Sequence, residues 1–132
     1  FGGRHVGKAF DVLWAMIEAP DCHVVMTLSG AMTIAKMGKI ISTMVDEGMV
    51  HCIISTGALI AHGLSESVGK THYRHRPSMS DEELFQKGYN RVYDTLEMET
   101  NLNYVEHVVS QTLKRVDHDQ PLSSEVLTRE LG

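Results

Sequence analysis

Two short apolar runs constrain the fold of this 132-residue chain more than any other feature. Val24-Val25-Met26-Thr27-Leu28 passes into Ser29-Gly30-Ala31, and Cys52-Ile53-Ile54 passes into Ser55-Thr56-Gly57-Ala58. Between them Met37, Ile40, Ile41, Met44 and Val45 recur at helical spacing, and Gly48 supplies a left-handed stop. An apolar run too short for a helix, ending in small and hydroxylated residues, reads as a buried strand that turns tightly into a helix. Strand, helix and strand with such short joints make a βαβ unit, and that unit gives a parallel sheet. The expected fold class is therefore α/β, with helices flanking a parallel sheet.

The rest of the chain reads mainly as helix. Val6, Phe10, Leu13, Trp14 and Ile17 share one helical face, which Pro20 ends. Residues 57–69 read as a short helix with Leu59, Ile60, Leu64 and Val68 inward, followed by a polar loop over 70–80. Ser80-Asp81-Glu82-Glu83 is a capping sequence for a helix reaching about Tyr89. Leu102, Val105, Val109, Leu113 and Val116 predict a long amphipathic helix, and Ser123 or Ser124 caps a last one with Glu125 in its first turn. The sequence starts at Phe1 and stops within that last helical pattern, so both ends read as cuts through a longer protein.

Composition narrows the function classes. Hydrophobic residues make up 42% and charged residues 22%, the balance of a folded globular domain rather than a disordered chain. A net charge of -5 disfavours nucleic acid or an anionic membrane as partner, since both reward clustered Lys and Arg, and suits a cationic ligand better. No apolar stretch approaches the roughly 20 residues that span a bilayer, and the start lacks a secretory pattern, so a cytoplasmic address is expected. Cys22 and Cys52 fall at or inside the expected buried strands and read as reduced core thiols. The methionines at 16, 26, 32, 37, 44 and 49 read as core filler.

Residues able to carry chemistry concentrate in three places. The two turns have room for a phosphate or ribose to reach the backbone, and the first N–H groups of a following helix are free to bind an anion. Neither turn is a G-x-G-x-x-G or Walker A sequence, so a ligand site and simple close packing both remain open. His62 comes soon after the second turn, where a neutral imidazole could accept a proton or merely bond a loop carbonyl. His72, Tyr73, Arg74, His75 and Arg76 form the densest polar cluster. No Cys or acidic residue beside His72 and His75 completes a zinc set, so no metal is expected and a solvated cationic loop is the plainer reading.

Three ordered motifs, Leu28-Ser29-Gly30-Ala31-Met32, Ile53-Ile54-Ser55-Thr56-Gly57-Ala58 and Gly88-Tyr89-Asn90-Arg91-Val92-Tyr93-Asp94, resemble the deoxyhypusine synthase family. The likeness covers nearly the whole chain and is nearest to the prokaryotic branch, in which a His comes after the second turn as His62 does. It implies that residues 1–132 form the first part of a longer Rossmann-like NAD domain, with an incomplete parallel sheet.

Family members use NAD to take a hydride from spermidine, release diaminopropane and hold the aminobutyl group as an imine on a lysine. They pass it to a lysine of a translation factor or, in related enzymes, to a small amine. By this resemblance the NAD contacts fall on Ser29, Gly30 and Ala31 at the first turn and Ser55, Thr56 and Gly57 at the second, with His62 as the catalytic candidate. Two adjacent glutamates of the eukaryotic enzymes are replaced here by Ala61 and His62, which makes another amine an alternative acceptor. The imine-forming lysine and the acidic spermidine ligands lie later in the family sequence, and none of the lysines here matches that motif. A homotetramer or hetero-oligomer is implied. A non-catalytic NAD-binding subunit and a nucleotide-binding regulatory domain are the alternative functions.

Overall fold

The computed structural model describes residues 2–117 and 119–132, and in it the two apolar runs form strands that pair in parallel. Strand β1 (Val25–Leu28) and strand β2 (Cys52–Ser55) run in register from Val25 opposite Cys52 to Leu28 opposite Ser55. The chain divides into two compact units, Phe1–Leu59 and Ile60–Gly132, each built around its own small sheet.

In the first unit, helix α1 (Gly2–Glu18) precedes β1, and helix α2 (Gly38–Asp46) connects β1 to β2. Val24, Ile34, Ile41 and Val50 form its buried core. Gly48 adopts φ +70°, the left-handed stop expected after α2. His51 fastens the start of the sheet: the Val24 N–H donates to His51 Nδ1 at 3.0 Å while the His51 N–H donates to the Val24 carbonyl at 2.9 Å. A ring nitrogen that accepts carries no proton, so His51 is held with any single proton on Nε2.

Burial departs from the sequence reading. All four residues of β2 are exposed, Cys52 among them, and Cys22 is half-buried, so neither thiol is a core group. The sheet has two strands among the described residues, which leaves β2 without a neighbour on its far side. Helix α1 buries no residue; Val6, Phe10 and Trp14 are exposed, with the Phe10 and Trp14 rings stacked at 6.2 Å. Of the methionines read as filler, Met37 is exposed and the other five are half-buried.

In the second unit, helix α3 (Ala58–Ser67) runs in from the end of the first, and a three-stranded antiparallel sheet comes after it. Its order is β3 (Tyr73–Arg74), β5 (Thr95–Met98), β4 (Tyr89–Val92). The expected polar loop over 70–80 therefore contributes a strand. Helix α4 (Asp81–Gln86) carries the expected capping box between Ser80 and Glu83, but ends before Tyr89 because Gly88 turns the chain at φ +72° into β4. Helix α5 (Glu99–Leu113) succeeds β5, and helix α6 (Ser124–Leu131) starts from a Ser123 cap. Leu84, Leu96 and Val105 form the apolar core.

The β4–β5 hairpin closes through Tyr93 and Asp94, with Val92 opposite Thr95. Tyr93 takes φ 57°, a conformation that costs an L side chain about 1 kcal/mol and suits Gly at the first loop position. Its side chain is exposed and supplies little burial in return. Tyr93→Gly is expected to raise stability by about 0.5 kcal/mol, after the greater freedom of glycine in the unfolded chain is subtracted. A lowered urea midpoint in that variant would show that the tyrosine is not strained there.

Candidate functional site

The two small-residue turns lie side by side at the C-terminal ends of β1 and β2, the position at which open parallel sheets bind ligands. The Ser55 hydroxyl donates to the Leu28 carbonyl at 2.9 Å, and the Thr33 hydroxyl donates to the Leu59 carbonyl at 3.3 Å, so the two turns are stitched together. Gly30 sits at their closest approach. A Cβ on Gly30 would collide with the Cβ of Ala58 and lie 2.7 Å from the Thr56 hydroxyl. At Gly57, by contrast, a Cβ would meet nothing within 4 Å. Ser29, Ser55, Thr56 and Gly57 are exposed, while Gly30 and Ala31 are half-buried.

The two turns lead into different structures. The first enters one 3-10 turn, Gly30–Met32, and the Ser29 side chain makes no capping bond. Lys36 at φ 63° interrupts the chain before α2 begins at Gly38. The immediate helix expected after Ser29-Gly30-Ala31 is therefore absent there, whereas α3 does begin at Ala58, directly after the second turn.

His62 lies on α3 within the second unit, where it belongs to a buried polar network that the sequence reading did not anticipate. At its centre is Glu97 on β5, with 1% of its surface exposed. Oε1 of Glu97 accepts from the Ser65 hydroxyl at 2.6 Å and has His72 Nε2 at 3.1 Å, while Oε2 lies 2.7 Å from His62 Nδ1. Nδ1 of His72 lies 3.3 Å from Oε1 of Glu66.

Local structure explains the convergence. Ser65 stands three residues beyond His62, so both project from one side of α3. The β3–β5 register pairs Tyr73 with Leu96, and its continuation sets His72 across from Glu97. The His72 side chain is buried, which corrects its reading as part of a solvated cationic loop; Arg74 and Arg76 are exposed. Burial by itself would raise the Glu97 pKa, but the Ser65 hydroxyl and the His62 and His72 imidazoles outweigh it and hold the carboxyl below the ordinary glutamate range. Among the described residues no group of three His, Cys, Asp or Glu side chains could hold a metal ion, and no helix is long and apolar enough to cross a membrane.

A family model described as deoxyhypusine synthase matches residues 1–132, and the chain belongs to the deoxyhypusine synthase family. A protein named "probable deoxyhypusine synthase 2" from Methanosarcina acetivorans is 33% identical over 135 residues, which cover 100% of this chain and 39% of that protein. Its namesake from Methanosarcina mazei is 32% identical over 88% of this chain and 34% of its own length. The "deoxyhypusine synthase-like protein" of Coxiella burnetii is 26% identical over 100% of this chain and 38% of its own length. The chain thus spans well under half the length of these relatives.

The close approach at Gly30 can be tested by stability. Gly30→Ala is expected to lower it by about 1–3 kcal/mol, because the new methyl overlaps Ala58, and Ala58→Gly in the same chain is expected to recover part of that loss. Denaturant titration of the single and double variants checks this; equal midpoints for the two would deny the close approach. The buried carboxylate can be tested with acid. A carboxyl whose folded pKa lies below its unfolded value near 4.5 contributes stability that is complete above that pH and is lost as pH falls through the folded value. The stability gap between the wild type and Glu97→Gln is therefore expected to narrow from about pH 6 to about pH 3, as read from urea midpoints.

Proposed function

We propose that this chain supplies the cofactor half of an NAD-dependent, deoxyhypusine-synthase-like aminobutyl transferase, as part of an NAD-binding domain. The observation that carries the reading is the paired turn at the ends of two parallel strands, with open space at Gly57 and exposed hydroxyls at Ser29 and Thr56. Small residues, hydroxyls and the start of α3 fit a dinucleotide's ribose and phosphates in chemistry, and the backbone at Gly57 is open to approach. Ser29, Gly30, Ala31, Ser55, Thr56 and Gly57 would hold it.

NAD bound there would accept a hydride from the carbon next to an amine nitrogen of spermidine, giving an imine that an amine acceptor can attack. His62 would take the proton released when the amine becomes an imine, through Nε2, which has no hydrogen-bond partner among the described residues. The acceptor is a lysine of a translation factor or a small amine. A cytoplasmic setting and a homotetramer or hetero-oligomer complete the proposal, with the imine-forming lysine supplied by sequence outside the motifs matched here.

The decisive test incubates the intact protein with NAD and spermidine and measures diaminopropane and NADH. Release of both is expected. Bound NAD without diaminopropane would remove the transferase reading and leave a nucleotide-binding regulatory or non-catalytic role. Gly57→Asp separates binding from folding. An aspartate before Ala58 is a favourable cap for α3 and meets no obstruction, so stability is expected to hold while NAD affinity falls at least tenfold from repulsion of the phosphates. Unchanged affinity would place the cofactor elsewhere.

A further inference from the structure

We infer that Glu97 is a positioning residue that fixes the tautomer of His62, placing the proton on Nδ1 and leaving Nε2 as the proton acceptor. The inference rests on the role given to His62 above only for its consequence in activity; the tautomer itself is set by the buried network.

An ionised carboxylate only accepts hydrogen bonds. With Oε2 of Glu97 2.7 Å from His62 Nδ1, that nitrogen must donate, and a neutral ring then has its lone pair on Nε2. The carboxylate cannot turn away to serve other donors, because its second oxygen is already held by the Ser65 hydroxyl at 2.6 Å and approached by His72 Nε2 at 3.1 Å. Glu97 sits on the central strand of its sheet and is 1% exposed, so water does not compete for Oε2. His62 keeps 19% of its side chain exposed, enough for the ring to be reached from outside while the Nδ1 edge faces the carboxylate. A buried acidic group that sets the tautomer of a half-exposed histidine is an arrangement by which an imidazole is oriented for proton transfer. Glu66 is the other charged group at the network, on the far nitrogen of His72.

The test uses histidine labelled with nitrogen-15 in the intact protein, with the His62 signals assigned by their loss in His62→Gln. Long-range nitrogen–proton spectra above the titration of the ring are expected to show the Nδ1–H form of His62 in the wild type. In Glu97→Gln the amide removes the requirement for a donor at Nδ1, and the Nε2–H form is expected to become populated. Ser65→Ala, which loosens the carboxylate without removing its charge, is expected to give an intermediate ratio. An Nε2–H wild type, or a tautomer unmoved by Glu97→Gln in a variant with native dispersion, would overturn the inference.

Kinetics separate this from the reading of His62. If His62 accepts the proton, Glu97→Gln lowers kcat at least tenfold with little change in the KM for spermidine, and adding Glu97→Gln to His62→Gln costs nothing more. Full activity in His62→Gln beside a tautomer governed by Glu97 would sink the catalytic role of His62 and uphold the positioning. An inactive His62→Gln beside a fully active Glu97→Gln would do the reverse.

Discussion

The second unit depends on one demand: a carboxylate removed from water must find donors for its oxygens. Glu97 obtains them from α3 through Ser65 and His62, and from the segment entering β3 through His72. Those contacts cross 25 to 35 residues of sequence, so the carboxylate ties together segments that the apolar core of Leu84, Leu96 and Val105 alone would join loosely. A hydrophobic residue at position 97 could fill the volume but would take away the acceptor nearest the Ser65 hydroxyl, leaving it only the Ala61 carbonyl at 3.4 Å, and would remove one partner of the His72 imidazole. The network also sets which face of α3 turns inward, and that choice leaves the His62 ring half-exposed.

How much of this could be read from the chain varied with the distance over which the signal acts. The βαβ unit was legible because its pattern is local: apolar run, small residues, a 3.6-residue stripe and Gly48 all lie within 35 positions. The capping box at Ser80 and Glu83 was legible for the same reason. The hairpin over 89–98 was not, since its loop is Tyr93-Asp94 and lacks the Asn-Gly or Gly that marks such turns. Without the hairpin, Glu97 reads as a surface charge and its partners remain unconnected. The motif that precedes His62 marks that residue in the sequence, but nothing adjacent to it names Glu97. The one hint was the run Tyr89 to Met98, rich in β-branched and aromatic residues with polar residues between.

Hydrophobic pattern does not equal packing in the strands and first helix. Ile53 and Ile54 carry the composition of a strand covered on both faces, and Val6, Phe10 and Trp14 that of a helix docked on a core, yet all are exposed. Hydrophobic patterning records the surroundings for which a segment was selected. The matched relatives are more than twice as long as the aligned region, and these faces are the ones whose pattern exceeds the burial available among the described residues.

The two glycines of the paired turns differ in what their surroundings demand. Smallness at a turn is ambiguous, because packing and ligand approach both require it. At Gly30 packing suffices: Ala58 and Thr56 occupy the space a side chain would need, so the glycine says nothing about a ligand. At Gly57 neither packing nor a left-handed φ requires it, since the space is open and the backbone is outside that region. An exposed glycine at the start of a helix costs stability relative to a capping residue such as Asp or Ser. The weaker cap, with exposed Thr56 before it, is the choice that the proposed cofactor, which would have to approach the backbone, would favour. The case for a cofactor thus rests on Gly57, while Gly30 supplies the close contact that holds the two turns in place.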